Sequence, residues 1–174
     1  MKTTKNKIKG LSEREVKVIA WLEFHQKYFF TSDDISHFFK NKQIMYSAIK
    51  RFMKKNRIIK LNQKKYYLVP IKAKSGSWSE HSFIIADETL NSEGYYIGGW
   101  SAANYWKLTE QIPMKISVYT NKRQGKKTIL NTKFIFHRIR KENIRKSVIR
   151  KIRGHSFRIL SKKESEKWLK LRNW

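Results

Sequence analysis

Forty Lys and Arg against thirteen Asp and Glu give this 174-residue chain a formal charge of +27, and no other feature constrains its folded form as strongly. A compact state at that charge repels itself unless an anionic partner or screening salt offsets the repulsion. Polyphosphate is the expected counterion. The basic residues run the length of the chain rather than flanking an apolar span, which favours nucleic acid over an anionic lipid surface. No run of 18 apolar residues exists, and MKTTKNKIKG is followed by no apolar stretch. The expectation is a cytoplasmic protein without membrane association. Hydrophobic residues make up 40% of the chain and aromatics 14%, so packed cores are within reach. The absence of cysteine excludes disulfides, thiolate nucleophiles and Cys-based zinc sites.

The first 70 residues read as three helices and a hairpin. Ser12 with Glu15 three positions on is a capping box, and Val16, Ile19, Ala20 and Phe24 then supply the inner face of a first helix. Tyr28-Phe29-Phe30 suits an extended link. Thr31 or Ser32, with Asp33 and Asp34, caps a short second helix that turns Ile35, Phe38 and Phe39 inward. After a turn at Lys40-Asn41-Lys42, a third helix from about Gln43 to Asn56 carries Ile44, Ala48, Ile49, Phe52 and Met53 at helical spacing. Strands at Ile58-Ile59-Lys60-Leu61 and Lys65-Tyr66-Tyr67-Leu68-Val69 flank a turn at Asn62-Gln63-Lys64. Residues 1–70 are therefore expected to form a winged helix-turn-helix.

The outward face of the third helix contains no acid. A helix entering the major groove needs short polar or basic residues near its N-terminal end and cations beyond them for phosphate. Gln43, Tyr46, Ser47 and Lys50 are the candidates for reading bases in double-stranded DNA. Lys42, Arg51, Lys54 and Lys55, with Lys64 and Lys65 at the hairpin tip, are the candidates for phosphate.

Residues 71–77 are polar, follow Pro70 and hold a glycine, which marks a linker to a basic α+β domain over 78–174. The expected elements are a helix over Trp78 to Leu90, a strand at Tyr95-Tyr96-Ile97 and a helix capped by Ser101 that runs to about Trp106. Strands follow at Lys115 to Thr120, Lys127 to Leu130 and Lys133 to His137. Gly98, Gly99 and Ser101 lack the spacing of a phosphate-binding loop and read as a tight strand-to-helix turn. Trp100, Tyr105 and Trp106 read as core.

From Lys133 onward fifteen Lys and Arg face three Glu. They include Arg138, Arg140, Lys141, Arg145, Lys146, Arg150, Lys151 and Arg153, and spacing near four between several of them predicts a helical track for a phosphate backbone ending at Gly154. Ser161 and Glu164 open a last helix with Trp168, Leu169 and Leu171 inward.

The five histidines are far apart, with none of the spacing or neighbouring carboxylates of a metal motif. Asp87-Glu88 and Glu110 are the only carboxylates beyond Pro70 that a magnesium-dependent nuclease could draw on, and their spacing matches no such site. No catalytic residue, metal or cofactor is expected. The alternative class is a nucleic-acid-processing or RNA-binding protein in which the winged helix is a docking module.

The order of motifs resembles the AbiEi-type antitoxins, transcriptional regulators of type IV toxin-antitoxin and phage-abortive modules. The similarity runs from about Leu11 to Arg140 and rests on Tyr66-Tyr67-Leu68-Val69-Pro70, Trp78, Ile84-Ile85-Ala86-Asp87, Tyr95-Tyr96-Ile97-Gly98 and Ser101-Ala102-Ala103, then Trp106-Lys107-Leu108-Thr109-Glu110-Gln111 with Pro113. The resemblance implies an autorepressor that binds promoter repeats and counters a nucleotidyltransferase-like toxin; monomer and homodimer both stay open.

Overall fold

Ser12 accepts a hydrogen bond from the Glu15 amide while the Glu15 carboxylate accepts one from the Ser12 amide, so the predicted capping box starts the first helix, α1 (Glu13–Phe24). In this computed structural model, which describes residues 10–70 and 80–172, the chain divides into two units, Met1–Trp78 and Ser79–Trp174. The expected linker 71–77 and Trp78 lie outside the described residues. Both units mix helix and sheet, so the chain is α+β.

In the first unit α1 is followed by β1 (Phe29–Thr31), a 3₁₀ turn (Asp33–Phe38), α2 (Lys42–Lys54), β2 (Ile58–Lys60) and β3 (Lys65–Leu68). The strands form a sheet of order β1-β3-β2, antiparallel throughout. The core joins Val18, Ile19 and Leu22 of α1 to Met45, Ala48, Ile49 and Phe52 of α2, closed by Phe30, Ile35 and Ile58. Full burial of a large apolar side chain contributes about 1.5–3 kcal/mol, so these contacts outweigh the short helices' own propensities.

Three local expectations need correction here. The inner stripe of α1 runs through Val18, Ile19 and Leu22, whereas Ala20 and Phe24 are exposed. Both stripes satisfy helical spacing, and only the facing residues of α2 choose between them. Met45 rather than Ile44 is buried in α2, for the same reason. The second helix is a 3₁₀ turn that Ser32 does not cap; Asp34 instead accepts the Thr31 amide and hydroxyl at 2.7 and 2.8 Å.

The second unit comprises α3 (Ser82–Leu90), β4 (Tyr95–Gly98), α4 (Gly99–Tyr105), β5 (Lys115–Thr120), β6 (Gly125–Ile129), β7 (Thr132–Arg138), a 3₁₀ turn (Lys141–Lys146), β8 (Ser147–Ile152), β9 (His155–Leu160) and α5 (Lys162–Lys170). Its six-stranded mixed sheet has the order β6-β7-β5-β4-β9-β8, with β5–β7 and β4–β9 parallel. Ile116, Val118, Phe134 and Phe136 alternate with exposed or half-buried neighbours and put their bulk on one face. No helix among the described residues is long and apolar enough to cross a membrane.

The expected helix over Arg138 to Arg153 is not formed. That segment is the 3₁₀ turn followed by β8, which pairs antiparallel with β9. Val148, Ile149 and Ile152 favour a strand, and Arg153 and Gly154, both at positive φ, form the two-residue loop between Ile152 and its partner His155. Gly154 thus marks a hairpin loop, not a helix end. Gly98, not Ser101, is the cap of α4; the Ser101 hydroxyl reaches β5, accepting from the Ser117 amide at 3.3 Å. Leu171 is exposed, while Trp168 and Leu169 are half-buried.

Candidate nucleic-acid interface

Asn41 accepts the Ile44 amide at 2.9 Å and so fixes where α2 begins. From that start, burial of Met45, Ala48, Ile49 and Phe52 forces Gln43, Tyr46, Ser47, Lys50 and Lys54 onto one exposed face. Tyr46 is 46% exposed, unusual for so large a ring. The first turn holds no acid and carries exposed Lys42. The helix's own first turn therefore supplies no acid to the positive end of its dipole.

The hairpin tip is built by Asn62, whose Oδ1 accepts both the Lys64 and Lys65 amides at 2.9 Å. This local hydrogen bonding holds the turn and leaves Lys64 exposed and Lys65 half-buried.

Arg51 and Lys55, both candidates for phosphate, also meet an internal acid. The buried Glu15 carboxylate accepts from Lys55 Nζ at 2.7 Å and from Arg51 Nε at 3.2 Å. One acid thus ties both cations to α1, and their charge offered to an external anion is reduced accordingly. Burial pushes the Glu15 carboxyl up, but hydrogen bonds from Lys55, Ser12 and Arg51 outweigh it and hold the group below its ordinary value.

The cations of the second unit do not make the single track that helical spacing predicts. Arg145 and Lys146 lie on the 3₁₀ turn, whereas Arg150 and Lys151 are consecutive on β8 and point to opposite faces. The Arg150 guanidinium lies 5.1 Å from the centre of the Trp106 ring. Trp106 donates to the Leu160 carbonyl at 2.8 Å and Trp100 meets Trp168 edge-on, which gives these half-buried rings internal contacts. Arg138, Arg140, Arg145, Lys146 and Lys151 are all exposed.

The fold also assembles a constellation hidden in the sequence. Asp87, buried in α3, accepts hydrogen bonds from the Tyr95 hydroxyl, from Ser92 Oγ at 2.7 Å and from His155 Nε2 at 3.0 Å. Asp87, Glu88 and His155 bring one ligand atom each within 4.8 Å of one another. Three donors already occupy the Asp87 carboxylate, so the arrangement serves as a strut linking α3, β4 and β9. Burial, with the Asp87 charge beside it, raises the Tyr95 hydroxyl well above its usual value and keeps it a donor. Only a 68-residue separation conceals the His155 contact.

No family model and no curated protein matches the chain. Among solved structures it is similar to the RV2827C protein from Mycobacterium tuberculosis, at 12% identity and a TM-score of 0.54. The match covers 80% of this chain and 50% of that one, so the chain spans about half the length of that relative. At this identity the likeness bears on fold alone.

Proposed function

We propose that the first unit is a winged helix-turn-helix that docks on double-stranded DNA, and that the chain is a sequence-specific transcriptional regulator. The observation that carries the reading is the exposed, acid-free face of α2, with Gln43, Tyr46, Ser47 and Lys50 near its N-terminal half and Lys54 beyond. The element order supports it: a helix, a strand, a helical turn, a second full helix and a hairpin whose tip carries Lys64. In this pose α2 lies in the major groove, Gln43 meets an adenine edge and Lys50 a guanine, and Lys42, Lys54 and Lys64 meet phosphates. The net charge of +27 favours the encounter. The further role of antitoxin and autorepressor at promoter repeats, with a nucleotidyltransferase-like toxin as partner, rests on the family resemblance alone.

The test is binding to the chain's own upstream DNA and to a scrambled duplex across a salt series. Gln43→Ala or Ser47→Ala is expected to narrow the preference between the two, each lost base contact costing about 1–3 kcal/mol. Lys54→Ala is expected to weaken both duplexes alike and to lower the salt slope by about one. An unchanged preference in both Gln43→Ala and Ser47→Ala would overturn the assignment of α2.

A further inference from the structure

The six-stranded sheet is covered unevenly. On the face opposite Val118 and Phe136, α4 is tied to β5 through Ser101 and Ser117, and Trp168 of α5 lies over Gly99. Beyond His137, toward β6 and the Lys133 end of β7, the residues of the same face are exposed or half-buried. Lys115 and Lys133 are direct partners on adjacent parallel strands, and Thr128 is the partner of Lys133 on the other side. Lys126, two residues before Thr128, projects to the same face. All three lysines are exposed and, with Thr128 and Ile135, line one open cleft of about 310 Å³.

Like charges directly opposed across strands are destabilising. The usual remedy is an interleaved carboxylate, and among the described residues none pairs with these three lysines. The cleft lining contains no acid. The repulsion is offset when a multivalent anion lies across the strands, each ammonium meeting one phosphate and the Thr128 hydroxyl donating to another oxygen. Strands run about 4.8 Å apart, so adjacent lysine stems with their long flexible reach can meet successive phosphates of one backbone. The cleft offers no exposed aromatic ring to stack a base.

We propose that Lys115, Lys126 and Lys133 form a second, sequence-independent contact for the phosphate backbone of duplex DNA, separate from the α2 face. The contact shares the partner of the first unit but does not depend on α2 reading bases. It also moves the DNA-facing surface of the second unit away from the Arg138–Arg153 segment. Exposed Ile112 and Met114, just before Lys115, make an anionic membrane the competing partner. Two side chains offer little apolar area for that role.

The experiment compares the full chain with the triple variant Lys115→Gln, Lys126→Gln, Lys133→Gln by fluorescence anisotropy on one duplex across a salt series. Each neutralised phosphate contributes about 0.9 to the slope of log affinity against log salt, so the slope is expected to fall by about 2.7. The preference between specific and scrambled duplexes is expected to stay as in the wild type. The matching triple Lys→Arg variant keeps the charge and should keep the slope, which guards against a folding defect. An unchanged slope in the Gln variant overturns the proposal. So does an equal loss of slope in the Arg variant, or a Gln variant whose only loss is on vesicles of anionic phospholipid. Loss of sequence preference in the α2 variants tests the first unit separately, and either site can fail without the other.

Discussion

Replacing Glu15 by Gln would remove the one buried charge that joins α1 to α2. The carboxylate holds the Ser12 amide, Lys55 Nζ at 2.7 Å and Arg51 Nε at 3.2 Å. A charged hydrogen bond contributes about 1.5–3 kcal/mol when its partners are dry. Here Arg51 is 52% exposed and Lys55 34%, so both return partly to water in the variant, and each pair is better counted at up to about 1 kcal/mol. The capping half survives, because the Gln side-chain oxygen also accepts the Ser12 amide. The expected loss is about 1–2 kcal/mol, measured by urea unfolding at neutral pH. Because the folded-state value of Glu15 is held below its ordinary value of 4.5, its contribution is present above that pH and is lost as pH falls through the lower folded value. The gap between wild type and Glu15→Gln should therefore be widest near neutrality and close in acid. A gap below about 0.5 kcal/mol at pH 7, or one that persists undiminished in acid, would refute the reasoning.

Two further outcomes follow from the second unit. A Cβ at Gly98 would sit 2.7 Å from two carbons of the Tyr119 ring, which is stacked between Tyr96 and His137 at 5.2 and 4.7 Å. Gly98→Ala should cost about 1–3 kcal/mol, and an unshifted melting temperature would show that the stack yields freely. Burial, followed by the neighbouring Tyr119 and Glu164, pushes the Tyr96 hydroxyl up to about 12. A raised value means stability is intact below pH 10 and is lost as pH climbs through about 12. That loss amounts to about 3 kcal/mol. Tyr96→Phe should thus resist alkaline unfolding better than the wild type; identical alkaline midpoints would count against the burial argument.

Two helix starts were legible in the sequence. Ser12 with Glu15 and Ser161 with Glu164 act within three residues, so the chemistry that starts α1 and α5 is local and needs no partner. The alternation of Ile116 and Val118, and of Phe134 and Phe136, likewise announces strands because its period of two is a property of the backbone. The outward set Gln43, Tyr46, Ser47, Lys50 and Lys54 could be read for the same reason, since the apolar residues of α2 leave it nowhere else to point.

What local pattern could not settle was which of two compatible arrangements tertiary contacts select. The steps of three to five among Arg138, Lys141, Arg145 and Arg150 suit a helix, but β9 offers Val148, Ile149 and Ile152 a ladder, and the pairing decides for strand. The stripe of α1 that faces inward is decided by Met45, Ile49 and Phe52, over twenty residues away. Glu15 meeting Arg51 and Lys55, Asp87 meeting His155, and Lys115 lying beside Lys133 all depend on chain segments brought together only when non-local burial offsets their ordering entropy. Charge and period are carried by each residue and its near neighbours, and so by the sequence alone; partners are set by the core that forms between distant segments.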